Sequence, residues 1–201
     1  MKNARMLTFA AMLAAVSTAL MYLETPLPFL PPFLKLDLSN VPLLIGAFLM
    51  GPVPAVLMTS VKNAVHLLGS TSGGVGELAD LLITSCLLVP AAVIYRRNRT
   101  RRGAVIGCAA GIGGMMVAGV LANAYILLPF YSKVMLIPLE KIFSASAEIN
   151  PAITGLGTYL LFGVVPFNLI KGLIICGITM VVYKKISVFI RRFADGAREK
   201  E

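Results

Sequence analysis

From Gly103 to Leu128 the chain carries no charged side chain, and from Met6 to Leu23 it again carries none. Crossing the hydrocarbon core of a bilayer takes about 20 helical residues, so runs of this kind constrain the fold before any other feature does. The rest of the chain agrees. Of its 201 residues 58% are hydrophobic and only 13% charged, with mean hydropathy +0.86, whereas soluble domains carry roughly 25% charged residues. Too little polar surface remains to cover a core in water, and lipid becomes the main solvent. The length suits a single domain over residues 1–201.

Six apolar helical segments can be placed, at about Met6–Leu23, Val41–Met50, Val53–Leu68, Glu77–Tyr95, Gly103–Leu128 and Gly157–Tyr183. Gly51-Pro52 ends the second, which is too short to cross alone and is expected to lie against protein or tilt with its neighbour. The fold class predicted is therefore an all-α membrane protein with six transmembrane helical segments.

Charge sets the orientation. Thirteen of the eighteen Lys and Arg residues fall in three short segments, each beside an apolar run. They are Lys2 with Arg5, the five arginines from Arg96 to Arg102, and Lys184, Lys185, Arg191, Arg192, Arg198 and Lys200. The net charge of +9 thus reads as the positive-inside pattern of a membrane protein, with no nucleic acid as partner. Six passes with both termini in the cytoplasm place all three clusters inside. The connections 24–40, 69–76 and 129–156 then face out. A basic start, an apolar run and Ser17-Thr18-Ala19 also have the form of a signal peptide, and cleavage there would leave the remaining topology unchanged.

The first outer connection, Pro26-Leu27-Pro28-Phe29-Leu30-Pro31-Pro32-Phe33-Leu34, is apolar and too proline-rich for a helix. It is either a lid over a pocket or a structural plug at the interface. Enzyme signatures are absent: no GxxxxGK[ST] occurs, and a single histidine, His66, excludes HExxH. Gly69-Ser70-Thr71-Ser72-Gly73 has the outline of a nucleophile elbow, but its centre is Thr71 rather than serine. Cys86, Cys108 and Cys176 lie in apolar runs and read as small packing residues.

Polar residues inside apolar helices usually face a bundle interior or cavity. Lys62 and His66 share one helical face, as do Glu77 with Asp80 and Asn168 with Lys171. Asn123 stands alone late in the fifth segment. Lysines can instead snorkel to a surface, and asparagines can bond between helices. Together these residues point to a polar-lined cavity in the outer half. Small residues recur four apart, as Ala10/Ala14, Ala11/Ala15 and Ala15/Ala19 in the first segment and Gly103, Gly107 and Gly111 in the fifth. Such stripes permit close helix approach.

Leu36-Asp37-Leu38-Ser39-Asn40-Val41-Pro42, the following Gly51-Pro52, and Lys62-Asn63 resemble the substrate-binding S components of energy-coupling factor (ECF) transporters. The proline-rich stretch 26–32, Asn123 followed by Leu127-Leu128-Pro129, and Pro166-Phe167-Asn168-Leu169-Ile170-Lys171-Gly172 are similar to the riboflavin-specific type. The resemblance spans nearly the whole chain. It implies a cell-membrane protein that captures riboflavin from outside as cargo, with no cofactor and no catalysis. Its implied partners are a transmembrane coupling protein and two cytoplasmic ATPase subunits. It carries Asn123, Asn168 and Lys171 over as riboflavin contacts. Leu34, an apolar lid residue able to cover the ring, Asp37 and Glu77 complete the predicted substrate-binding set. The family's AxxxA docking motif is matched by more than one of the alanine pairs in the first segment, of which Ala11 and Ala15 are favoured. The alternatives are an S component for another vitamin or flavin analogue, and an intramembrane enzyme using Glu77, Asp80 or His66.

Overall fold

The computed structural model describes residues 2–31, 34–70 and 72–195, and side chains up to Val182. Pro32, Phe33, Thr71, Arg198 and Lys200 lie outside the described residues, as do the side chains of Lys2, Arg5, Lys184, Lys185, Arg191 and Arg192. The described chain is helical nearly throughout. Helix α1 spans Lys2–Met21, α2 Asn40–Met50, α3 Pro52–His66 and α4 Val75–Arg97. Helix α5 (Arg101–Ala122) runs through a π turn, Asn123–Leu127, into α6 (Leu128–Lys133). Helix α7 is Leu139–Ala147. The short α8 (Leu156–Tyr159) leads through a second π turn, Leu160–Val164, into α9 (Val165–Asp195).

Among the described residues, three continuous helical stretches are long and apolar enough to cross a membrane: Val75–Arg97, Arg101–Lys133 and Leu156–Val182. Met6–Met21 and Asn40–Met50 are shorter apolar helices. Large apolar side chains such as Val105, Ile106, Val117, Leu161 and Leu173 stand on the outside, an exterior suited to lipid.

Helix α2 is the centre of the bundle. It packs against α1, α3, α4 and α9, and Leu43, Leu44 and Ala47 have no exposed surface. The sequence expectation that this short segment lies against protein is met by enclosure on several sides. The chain reverses into α3 at Gly51, whose φ of +94° disfavours L side chains. A Cβ there would also meet the Arg96 guanidinium at 2.9 Å. Pro52 sits in the first helical turn, where its missing N–H has no partner to lose.

Helices α4 and α5 make the closest pair. A Cβ on Gly107 would lie 2.8 Å from the Ala91 carbonyl oxygen, and one on Gly111 2.4 Å from that of Leu87. Gly107 and Gly111 of the predicted stripe are therefore covered by the backbone of α4, while Gly103 packs on the Asn98 carbonyl just past its end. Pro90 cannot donate to the Cys86 carbonyl one turn back. Gly114 of α5 packs against that carbonyl, where a Cβ would come within 2.6 Å. Cys108 and Cys176 are buried packing residues as expected, whereas Cys86 is exposed on the bundle exterior.

The connections hold more structure than their composition suggests. The proline-rich stretch is pinned at its ends by a two-residue antiparallel ladder, β1 (Thr25–Pro26) with β2 (Lys35–Leu36). Leu30 and Leu34 sink into a second apolar cluster with Leu128, Ile142, Ile153, Tyr159, Val164 and Phe167. The expected loop 129–156 begins instead as the continuation of a helix and contains α7. Pro129 sits in the first turn of α6, a position it tolerates.

Candidate functional site

A cavity of about 360 Å³ opens at the end of α4 away from its terminal arginines. Residues from the β1–β2 connection, α3, α4, α5, α6 and α9 converge on it. All six residues singled out from the sequence as substrate-binding, Leu34, Asp37, Glu77, Asn123, Asn168 and Lys171, line this one space.

The two asparagines do not bond between helices. Asn123 Nδ2 donates to its own helix at Gly119 O (2.9 Å), and Asn168 Nδ2 to Val164 O (2.9 Å). Each bond engages one amide hydrogen and leaves the carboxamide an acceptor oxygen and a second N–H, and both residues line the cavity. Asn123 opens the first π turn, and Asn168 lies just beyond the second. A π turn inserts an extra residue and rotates the next stretch of helix about its axis, and such turns recur at functional sites. Gly119 lies between the pair: its carbonyl takes the Asn123 amide, and a Cβ on it would stand 2.4 Å from Asn168 Nδ2.

The lysines do not snorkel. Lys62 has no exposed surface, and Lys171 is 6% exposed. Lys171 Nζ donates to Asp37 Oδ2 at 2.7 Å. Lys62 Nζ donates to Asp80 Oδ2 at 2.7 Å, to Ser39 Oγ at 3.1 Å and to Asn40 Oδ1 at 3.2 Å. Asn63 adds a donor to Asp80, and Asn40 donates to Thr84. This network ties the start of α2 to α3 and α4, and Ser17 Oγ joins α1 to it through Ser39 O. Burial would raise the Asp37 pKa. The Lys171 and Lys62 charges and the bonds from Lys171 and Ser39 outweigh it, holding the carboxyl down at about 2. Buried charges are tolerated where they are paired and fully bonded.

A family model described as "ECF transporter, substrate-specific component" matches residues 5–183. The chain belongs to this family. It is 33% identical over 192 residues to the riboflavin transporter RibU of Staphylococcus aureus (strain TCH60), covering 95% of this chain and 94% of that protein. It is 28% identical over 189 residues to the riboflavin transporter FmnP of Bacillus subtilis (strain 168), covering 92% and 94%. A solved structure titled "Structure and mechanism of the S component of a bacterial ECF transporter" superposes with TM-score 0.74 at 28% identity, over 94% of this chain and 98% of that one.

In this S component several cavity residues were not foreseen as such. Met115, Tyr131 and Phe167 line the space, and Lys171 Nζ lies 6.0 Å from the centre of the Phe167 ring. Asp80, paired with Glu77 by the sequence as a candidate cavity residue, lines it too. For Tyr131 the signal was hidden by reading the helix as ending at Leu128.

Ala11 and Ala15 stand apart from this cavity. Both are exposed on α1 and line a second, apolar groove of about 810 Å³ between α1 and α3. Ala19 continues the line, while Ala10 and Ala14 also line the groove, Ala14 buried at its floor. The exposed stripe is therefore Ala11–Ala15–Ala19.

Proposed function

We propose that this chain captures riboflavin outside the cell and delivers it across the plasma membrane as the substrate-binding subunit of an ATP-driven ECF importer. The observation that carries the reading is the convergence of Asn123 and Asn168, each with a free carboxamide edge, on one cavity with apolar walls. The pyrimidine edge of a flavin alternates carbonyl acceptors with one N–H donor, and two half-engaged carboxamides complement that pattern. Leu34, Ile83, Met115 and Phe167 supply apolar cover for the flat ring system. The volume falls within the roughly 300–1,000 Å³ usual for small-molecule sites.

The charge balance favours an uncharged cargo. Lys35, Lys62 and Lys171 are each already engaged by a carboxylate, Glu24, Asp80 and Asp37. Glu77 adds a further acid to the wall. A phosphorylated flavin would bring its dianion among these groups, so the free vitamin is the better fit.

Both termini and the 96–102 segment lie in the cytoplasm in this reading, and six segments cross or enter the membrane as one domain. Support comes from the basic clusters and from the placement of Arg96 and Arg97 at the opposite end of α4 from Glu77 and Asp80. The Ala11–Ala15 face of α1 is the surface offered to the transmembrane coupling protein, whose two ATPases drive transport. Absorption of the purified protein tests the reading first. Bound flavin gives a band near roughly 450 nm, the cargo's own chromophore. A colourless protein with no affinity for added riboflavin would favour a different vitamin or the enzyme alternative.

A further inference from the structure

Glu77 lines the cavity beside His66 and Ser72, and its carboxylate is largely engaged by neighbouring side chains. His66 Nδ1 lies 2.8 Å from Oε1, while Ser70 Oγ and Ser72 Oγ donate to Oε2 at 2.9 and 3.0 Å. The serine hydroxyls are themselves oriented. Ser70 Oγ accepts from the backbone N–H groups of Ser72 and Gly74, both at 3.2 Å, and Ser72 Oγ from that of Gly76 at 3.0 Å. The two hydroxyls also lie 3.2 Å from each other, and both are within donor reach of Glu77 Oε2. The His66 ring is held on its other side by Tyr22, just past the end of α1, with ring centres 4.8 Å apart. His66 and Glu77 are 9% and 6% exposed. A carboxylate has about four acceptor sites, and three are taken by these donors.

We propose that His66 is a positioning residue for substrate capture. By holding Oε1 of Glu77 from the α3 side, it leaves that oxygen a single acceptor direction, aimed into the cavity at an N–H or hydroxyl donor of the cargo. This inference rests on the riboflavin reading. The two serines lock the second oxygen, so the carboxylate cannot rotate to a competing pose. A pure packing role for the ring would need its shape and its stack on Tyr22 but no donor. The positioning role needs a donor at Nδ1.

Two substitutions separate these roles. His66→Phe keeps a ring against Tyr22 and removes the donor. His66→Asn gives up the ring and places an amide nitrogen close to the position of Nδ1. Riboflavin titration of the purified full-length proteins, with thermal unfolding as a control on folding, should show His66→Phe weakened roughly ten- to hundredfold. His66→Asn should stay within about threefold of wild type, since one donor replaces another. In a Glu77→Gln background His66→Phe should add little, because the partner it positions is already altered. Should His66→Phe fail to fold, the paired Ser70→Ala, Ser72→Ala variant tests the same clamp from the second oxygen and should also weaken binding. Wild-type affinity in a folded His66→Phe protein, or equal losses in the Phe and Asn variants, would overturn the role of His66 while leaving the riboflavin reading intact. A wild-type protein that binds no riboflavin overturns that reading and this inference with it.

Discussion

Gly119 has no side chain, yet it decides where two of the cavity's polar groups stand. Its carbonyl anchors Asn123, and the space above its Cα holds the Asn168 amide. Gly119→Ala would place a methyl 2.4 Å from Asn168 Nδ2, so the amide must leave its present position. Riboflavin affinity should fall roughly five- to 150-fold, the range for one lost or misdirected hydrogen bond in a dry site, with little change in thermal stability. Titration of the folded variant measures it, and unchanged affinity would remove Asn168 from the contact set. Asp37 gives a prediction in pH. Its carboxyl is held at about 2, below the ordinary 3.8, so the Lys171 pair contributes stability above pH 3.8 and loses it as pH falls through 2. The melting-temperature gap between wild type and Asp37→Asn should be constant from pH 7 to about 5 and close progressively toward pH 2. A gap that instead closes between pH 7 and 5 would assign it to another group. The sequence made Asn123, Asn168 and Lys171 conspicuous because polar groups in apolar helices need a reason. It did not mark Gly119, which is one of six glycines in α5. Its role comes from the packing of α5 against α9, which sets it under Asn168 and which residue spacing does not reveal.

At the scale of helices, two small-residue stripes that look alike in sequence have opposite fates. Gly107 and Gly111 are covered by the α4 backbone, while Ala11, Ala15 and Ala19 remain on an uncovered face of α1 beside α3. Spacing reports the capacity for close approach and not which surface exercises it. Substitution should tell them apart. Gly111→Leu forces a side chain into the Leu87 carbonyl and should lower stability by about 1–3 kcal/mol, seen as a lower melting temperature in detergent. Ala11→Trp or Ala15→Trp should leave stability and riboflavin binding near wild type and abolish uptake by cells carrying the full importer, because an indole blocks a close-packed partner. Uptake at the wild-type rate in both variants would take this face out of the docking surface. Boundaries were legible where glycine and proline act by fixed chemistry, as at Gly51-Pro52. They were not where a proline sits within a continuous helical stretch, as Pro129 does just past the first π turn.

Across the whole molecule, charge and cavity sit at opposite ends. The arginines of 96–102 close α4 and open α5, while Glu77, Asp80 and the second apolar cluster around Leu34 gather at the other end. With the native cysteines replaced by alanine, a single cysteine at Ser144 should react with an impermeant thiol reagent added outside intact cells, and one at Arg99 should not. Labelling of both from outside would break the proposed orientation. Periodicity and the placement of charge exposed this polarity in the sequence. The depth of α2 in the bundle and the ion pairs of Lys62 and Lys171 needed the fold, since their partners lie 18 and 134 residues away. The central claim is that one cavity, edged by Asn123 and Asn168, holds the vitamin. Its most direct test is titration of purified wild type, Asn123→Ala and Asn168→Ala with riboflavin, monitored by quenching of flavin fluorescence. The account predicts saturable binding by wild type and losses of roughly five- to 150-fold in each folded variant, whereas wild-type affinity in both variants would contradict it.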